Sequence, residues 1–140
     1  PSVGVSTLAM LAMNLPHTAY PVCPMLDARK NEVYAALYQV TDFPAMLEAD
    51  CVGSPDAFLA KISGPTLFLG DGALRYRDLI TVSLGAYALF APPSFHLPRP
   101  SCGCLLAEAA FAAGYAVTPE RLLPVYLRLS EAELSRQQNS

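Results

Sequence analysis

Asp27, Asp50 and Asp71 lie in or beside β-prone runs. Brought together, such carboxylates could hold two divalent ions ~3.5 to 4 Å apart for phosphodiester hydrolysis, but the sequence does not show them converging. The two histidines, His17 and His96, form no H-x-x-E-H or comparable pair, which excludes zinc-peptidase chemistry. Cys102-Gly-Cys104 stands at a helix start, where a thiol can be activated or a metal held. Neither Cys23, Cys51 nor a histidine stands at ligand spacing to complete such a site, so these cysteines read as buried, small apolar thiols. Ser94, Ser101 and Ser130 lack a nucleophile-elbow context. No catalytic residue and no metal site is read from the chain.

Two polar stretches remain. "LDARKNEVYAALY", Leu26 to Tyr38, places Asp27, Arg29, Lys30 and Glu32 around Asn31 in a chain only 15% charged. The flanks read as strands and the centre as a tight turn, with Asn31 best able to accept positive φ. The charges then sit at a hairpin tip, where solvated or cross-strand pairs contribute at most ~1 kcal/mol. "LGDGALRY" joins a buried strand to a helix through Gly70-Asp71-Gly72. Glycines there let a base or ribose lie against backbone, and they equally serve a tight turn.

The elements that must position these stretches follow from periodicity and caps. "VGVS" reads as a short strand and "STLAMLAMNLP" as a helix capped by Ser6 or Thr7 and ended before Pro16. Residues 19–27 and 32–40 are the hairpin strands, and "AMLEADCVG" adds a third. Ser54, Pro55 and Asp56 open a helix that Gly64 closes. Thr66 to Leu69 is a strand followed by a helix, "AYALFAPPS" a short strand stopped by Pro92 and Pro93. "PSCGCLLAEAAFAAG" reads as a helix with Ser101 capping and Gly114 at its stop, and Thr118-Pro119-Glu120 opens a last short one. The order β-α-β-β-β-α-β-α-β-α predicts a mixed α/β fold, antiparallel first and crossover-built afterwards. Tyr34, Tyr38, Tyr76, Tyr87, Tyr115 and Tyr126 read as core margins.

At 140 residues the chain fits one domain. Hydrophobic residues make up 53% and mean hydropathy is +0.32, a surplus that predicts a missing partner surface. No apolar run reaches the ~18 to 20 residues that a membrane helix needs. The net charge of -3 and nine dispersed basic residues argue against this chain gripping nucleic acid unaided. Four cysteines without a secretory start predict reduced thiols and a cytoplasmic protein. The opening residues read as the middle of a longer protein.

"VGVSTL", "LDARKNEVYAALY", "GDGALRY" and "PVYLRLSEAE" resemble, in this order and spacing, the C-terminal part of the TsaB (YeaZ) family, bacterial tRNA threonylcarbamoyladenosine biosynthesis proteins. The likeness runs from about Pro1 to Glu133. It implies an ASKHA fold, the two-lobed actin-like and ribonuclease H-like architecture. Residues 1–18 would end the first lobe with a strand and helix, 19–134 would form the second lobe, and 135–140 a polar tail. In that fold the hairpin carries a phosphate-contacting loop and the Gly-Asp-Gly turn meets adenosine, which makes Asp27, Gly70, Asp71 and Gly72 the candidate nucleotide contacts. Arg29 and Lys30 are bulky, and Asn31 stands where the family commonly has Gly, so the loop reads as a degenerate phosphate loop.

The resemblance further implies a non-catalytic partner and activator of the TsaD paralogue, with a TsaE-like ATPase in the assembly and tRNA reached only through the complex. ATP or ADP would bind, if at all, at a joint site with the paralogue, and the chain alone would self-associate. The alternatives are an ASKHA-type ATPase or kinase with its own activity, and a piece lacking any activity. "YLRLSEAE" would pack on the first lobe or face a partner.

Overall fold

The computed structural model describes residues 1–128. A five-stranded sheet runs in the order β3-β2-β1-β4-β5, built from β1 (Val22–Arg29), β2 (Glu32–Val40), β3 (Pro44–Gly53), β4 (Thr66–Leu69) and β5 (Ala88–Phe90). β1, β2 and β3 form an antiparallel meander, while β4 and β5 add in parallel on the other side of β1. The helices are α1 (Thr7–Ala12), α2 (Pro55–Leu59), α3 (Asp71–Arg75), α4 (Arg77–Leu84) and α5 (Pro100–Ala112).

Period-two alternation gives the sheet two apolar faces. On one side Cys23, Met25, Val33, Ala35 and Phe68 pack with Phe58 and Leu59 of α2 and Ile80 of α4. On the other, Val22, Ala36, Tyr38, Val40 and Leu69 pack with Leu8, Leu11 and Ala12 of α1. α5 lies beyond α1, and its single buried residue is Gly103, beside Met10.

The cap chemistry explains most boundaries. Ser6 and Ser54 each accept the N–H three residues on, from Ala9 and Ala57, both at 3.3 Å. Gly114, at φ 80°, ends α5 with paired bonds from Gly114 N to Phe111 O and Tyr115 N to Ala110 O, each 3.0 Å. Three expectations are corrected. Residues 3–6 form no strand; Ser2 alone bridges to Val117. Arg99, not Ser101, caps α5, because Pro100 suits the first helical position, which needs no N–H. Helix α2 stops at Leu59 rather than near Gly64. The tail from Ser135 and most of "YLRLSEAE" lie outside the described residues.

Tyr38 is buried more deeply than a core margin, whereas Tyr87, Tyr115 and Tyr126 are exposed. The Tyr38 hydroxyl donates to Asp50 Oδ1 at 2.6 Å, and Ser6 Oγ donates to Asp50 Oδ2 at 2.6 Å. One carboxylate thus joins β2, β3 and the N-cap of α1. Burial first, then the hydrogen bond to Asp50 and its negative charge, push the Tyr38 phenol well above its ordinary range. A raised folded-state value means that this contribution is intact below about pH 10 and is lost as pH climbs through that value. Urea denaturation should therefore show stability falling more steeply above about pH 10 in the native protein than in Tyr38→Phe; equal slopes there would contradict the assignment. The Tyr76 hydroxyl is buried without a hydrogen-bond partner among the described residues. Tyr76→Phe should leave stability unchanged or raise it by up to ~1 kcal/mol in the same measurement.

Candidate functional site

The hairpin tip is tighter than its sequence suggests. Positive φ was expected at Asn31, yet Arg29 (64°), Lys30 (50°) and Asn31 (60°) all adopt it. A bulge makes this possible: Asp27 faces Val33 and Arg29 faces Glu32, which leaves Ala28 as the extra residue. Lys30 and Asn31 then form the two-residue turn, and right-handed strand twist favours positive φ at both. Asp27 stabilises the bend by accepting the Arg29 N–H on Oδ1 at 3.0 Å.

The other carboxylate oxygen of Asp27 accepts from Arg75 Nη1 at 2.9 Å, with Arg29 Nη1 at 3.7 Å. Only 11% of the Asp27 side chain is exposed, so its charge is met largely by protein. The Asp27 N–H donates to Asp71 Oδ1 at 3.1 Å. The fold therefore gathers Asp27, Gly70, Asp71 and Gly72 at one end of the sheet, through the parallel pairing of β1 with β4. Asp50 lies apart with Ser6 and Tyr38. Among the described residues, no group of three or more His, Cys, Asp or Glu is placed to hold a metal ion.

Gly70 and Gly72 are required by packing. Gly70 has φ 103°, and a Cβ on it would overlap Met25 O and sit 3.0 Å from Leu11 Cδ2. A Cβ on Gly72 would lie 2.8 Å from Leu26 C and 2.9 Å from Met25 C. The space beside both glycines belongs to the backbone of β1. Sequence reasoning missed two contributors, Arg75 and His96. Arg75 stands four residues after Asp71 on the helix side, and His96 lies in a Pro-rich stretch between Phe95 and Leu97; neither position names its distant partner. Arg75 also lies over the Tyr76 ring, 5.7 Å from its centroid.

The remaining candidates are dispersed. His17 is exposed beside Asp42 at 3.3 Å. Cys23 is buried, and burial, followed by the nearby Cys51, pushes its thiol up. Burial also raises Cys51. Cys104 is exposed and not the buried thiol expected, because α5 turns that side outward. An open groove of about 1160 Å³ runs between residues 3–8 and 121–128, reaching Leu26, Tyr34 and Asp50. Arg128 pairs with Glu32 of the hairpin at one end of it. No helix among the described residues is long and apolar enough to cross a membrane.

Gly72→Ala should cost about 1 to 3 kcal/mol, as an overpacked and backbone-blocked site. Gly64→Ala, with nothing within 4 Å of its Cβ, should stay within about 0.5 kcal/mol of the parent in the same urea titration.

No family model matches the chain. It is 34% identical over 142 residues to the tRNA threonylcarbamoyladenosine biosynthesis protein TsaB of Bacillus subtilis (strain 168), covering 95% of this chain and 58% of that protein. Its fold is similar to YeaZ from Pseudomonas aeruginosa, with TM-score 0.67 and 29% identity over 88% of this chain and 57% of that one. A crystal structure described as an uncharacterized protein with similarity to peptidase YEAZ, from Pseudomonas aeruginosa, is equally near, with TM-score 0.67 and 29% identity over 89% and 57% of the two chains. The chain thus spans a little more than half the length of these relatives, and its mixed sheet is part of an ASKHA-like fold. Sequence likeness and fold likeness converge, over nearly the whole of this chain, on the TsaB (YeaZ) family.

Proposed function

We propose that this chain acts in N6-threonylcarbamoyladenosine modification of tRNA as a non-catalytic partner and activator of a TsaD-like paralogue. The observation that carries the reading is the state of Asp27. An ASKHA site that handles a nucleotide needs a carboxylate open to the metal-bound phosphates and backbone N–H groups open to the phosphate oxygens. Here the Asp27 carboxylate is engaged by Arg75 and by the Arg29 N–H, its own N–H is bonded to Asp71, and the neighbouring glycines pack on β1. Bulky Arg29 and Lys30 occupy the turn where small residues would let phosphate approach. These features support a helper role.

A partner surface is available for that role. Leu105 and Phe111 of α5, with Tyr115, Leu123, Val125 and Tyr126, are large apolar side chains left exposed, of the kind that a partner surface would cover. On this reading the paralogue covers some of them, a TsaE-like ATPase joins the same assembly in the cytoplasm, and the chain self-associates when alone.

Two measurements test the proposal. The intact protein and its paralogue, mixed and run on a sizing column, should elute as a stable heteromer; two separate peaks would count decisively against it. Calorimetric titration of the intact protein alone with ATP and Mg²⁺ should give no tight binding. Tight binding that is lost in Asp27→Ala would instead establish the ATPase alternative.

A further inference from the structure

His96 is 5% exposed, and both of its ring nitrogens meet backbone. Nδ1 lies 3.1 Å from Gly70 N, and Nε2 lies 3.0 Å from Ala91 O. An amide N–H only donates, so Nδ1 must be the proton-free nitrogen. A carbonyl oxygen only accepts, so Nε2 must carry the proton. The two contacts together select one neutral tautomer. The ring is also held from both sides along the chain: Asn14, itself 3% exposed, donates from Nδ2 to Phe95 O at 2.9 Å and to Leu97 O at 2.8 Å. The segment bearing His96 is therefore fixed to the end of α1, and His96 in turn holds Gly70.

The next residue after Gly70 is Asp71, whose carboxylate accepts the Asp27 N–H at 3.1 Å. A continuous path of hydrogen bonds and peptide links thus runs from Asn14 through His96 and the glycine turn to the hairpin tip. We propose that His96, as its Nε2–H tautomer, is a positioning residue that seats the Gly70-Asp71-Gly72 turn and thereby places Asp71 on Asp27. The inference concerns the arrangement of this end of the sheet and holds whether or not nucleotide binds there, so its failure is distinct from failure of the helper reading.

The test is made by nuclear magnetic resonance on the ¹⁵N-labelled intact protein. The imidazole ¹⁵N shifts should show a proton-free Nδ1 and a protonated Nε2; the opposite tautomer would overturn the proposal without any substitution. In His96→Ala, amide exchange at Gly70 and Asp27 should accelerate by about tenfold, the effect of losing one buried hydrogen bond, while amides in the β2–β3 pairing keep their rates. His96→Asn retains an acceptor near the Nδ1 position and should restore slow exchange at both sites; His96→Gln, which places its polar end near Nε2, should not. Uniform acceleration across the sheet, unchanged exchange at Asp27, or identical behaviour of the Asn and Gln variants would each refute the positioning role. Should His96→Ala fail to fold, the tautomer and the Asn and Gln comparison still decide it.

Discussion

Contact between the Gly70–Gly72 turn and the backbone of β1 governs the geometry of this molecule. With no Cβ on either glycine, the start of α3 lies directly on Met25 and Leu26. That contact joins an antiparallel meander, in which each strand follows its neighbour, to parallel βα units that must cross over before they pair. Both halves share β1 as their common strand, and the closeness of the turn lets residues 44 positions apart, Asp27 and Asp71, bond.

The electrostatic consequences follow from that distance. Asp27 stands at the end of β1 with little access to water, and a lone carboxylate there would be costly. Arg75, one turn along α3, supplies the opposing charge, and the Arg29 N–H supplies a further donor. The same carboxylate therefore neutralises a guanidinium and stabilises a bend in which three consecutive non-glycine residues hold positive φ. Conformations of that kind cost of order 1 kcal/mol each and persist where surrounding contacts determine them. Here those contacts are the bulge at Ala28, the two-residue turn and the Arg128–Glu32 pair. An end of the sheet so thoroughly self-bonded is held in one shape by its own contacts.

Part of the chain's apolar surplus lies on α5 and along residues 115–126. Both faces of the sheet are covered by α1, α2 and α4, which accounts for the core clusters. α5 is apolar along most of its length yet buries only Gly103. The exposed side chains of residues 115–126 lie beside the groove, whose walls bring the first and last described segments together through the Ser2–Val117 bridge. Composition alone pointed to apolar side chains left uncovered; the fold puts some of them on α5 and along residues 115–126 and others, among them Phe43, Met46, Leu47 and Val82, well away from there.

What the sequence by itself determined was local. Short apolar runs bounded by turn residues marked the five strands, because both signals are written into neighbouring positions. Ser6, Ser54 and Gly114 marked helix ends, because a cap bonds to residues three or four positions away. The hairpin and the Gly-Asp-Gly turn were recognisable from residue type for the same reason. The strand expected near Val3 failed because a strand needs a partner, and only Ser2 finds one. What the tertiary structure alone decided was every pairing across distance: Asp27 with Arg75 and Asp71, Asp50 with Ser6 and Tyr38, and His96 with Gly70. A side chain's identity states what it can donate or accept, whereas its partner is chosen by strand order and by how closely two backbones can approach, and neither quantity is carried by any short stretch of residues.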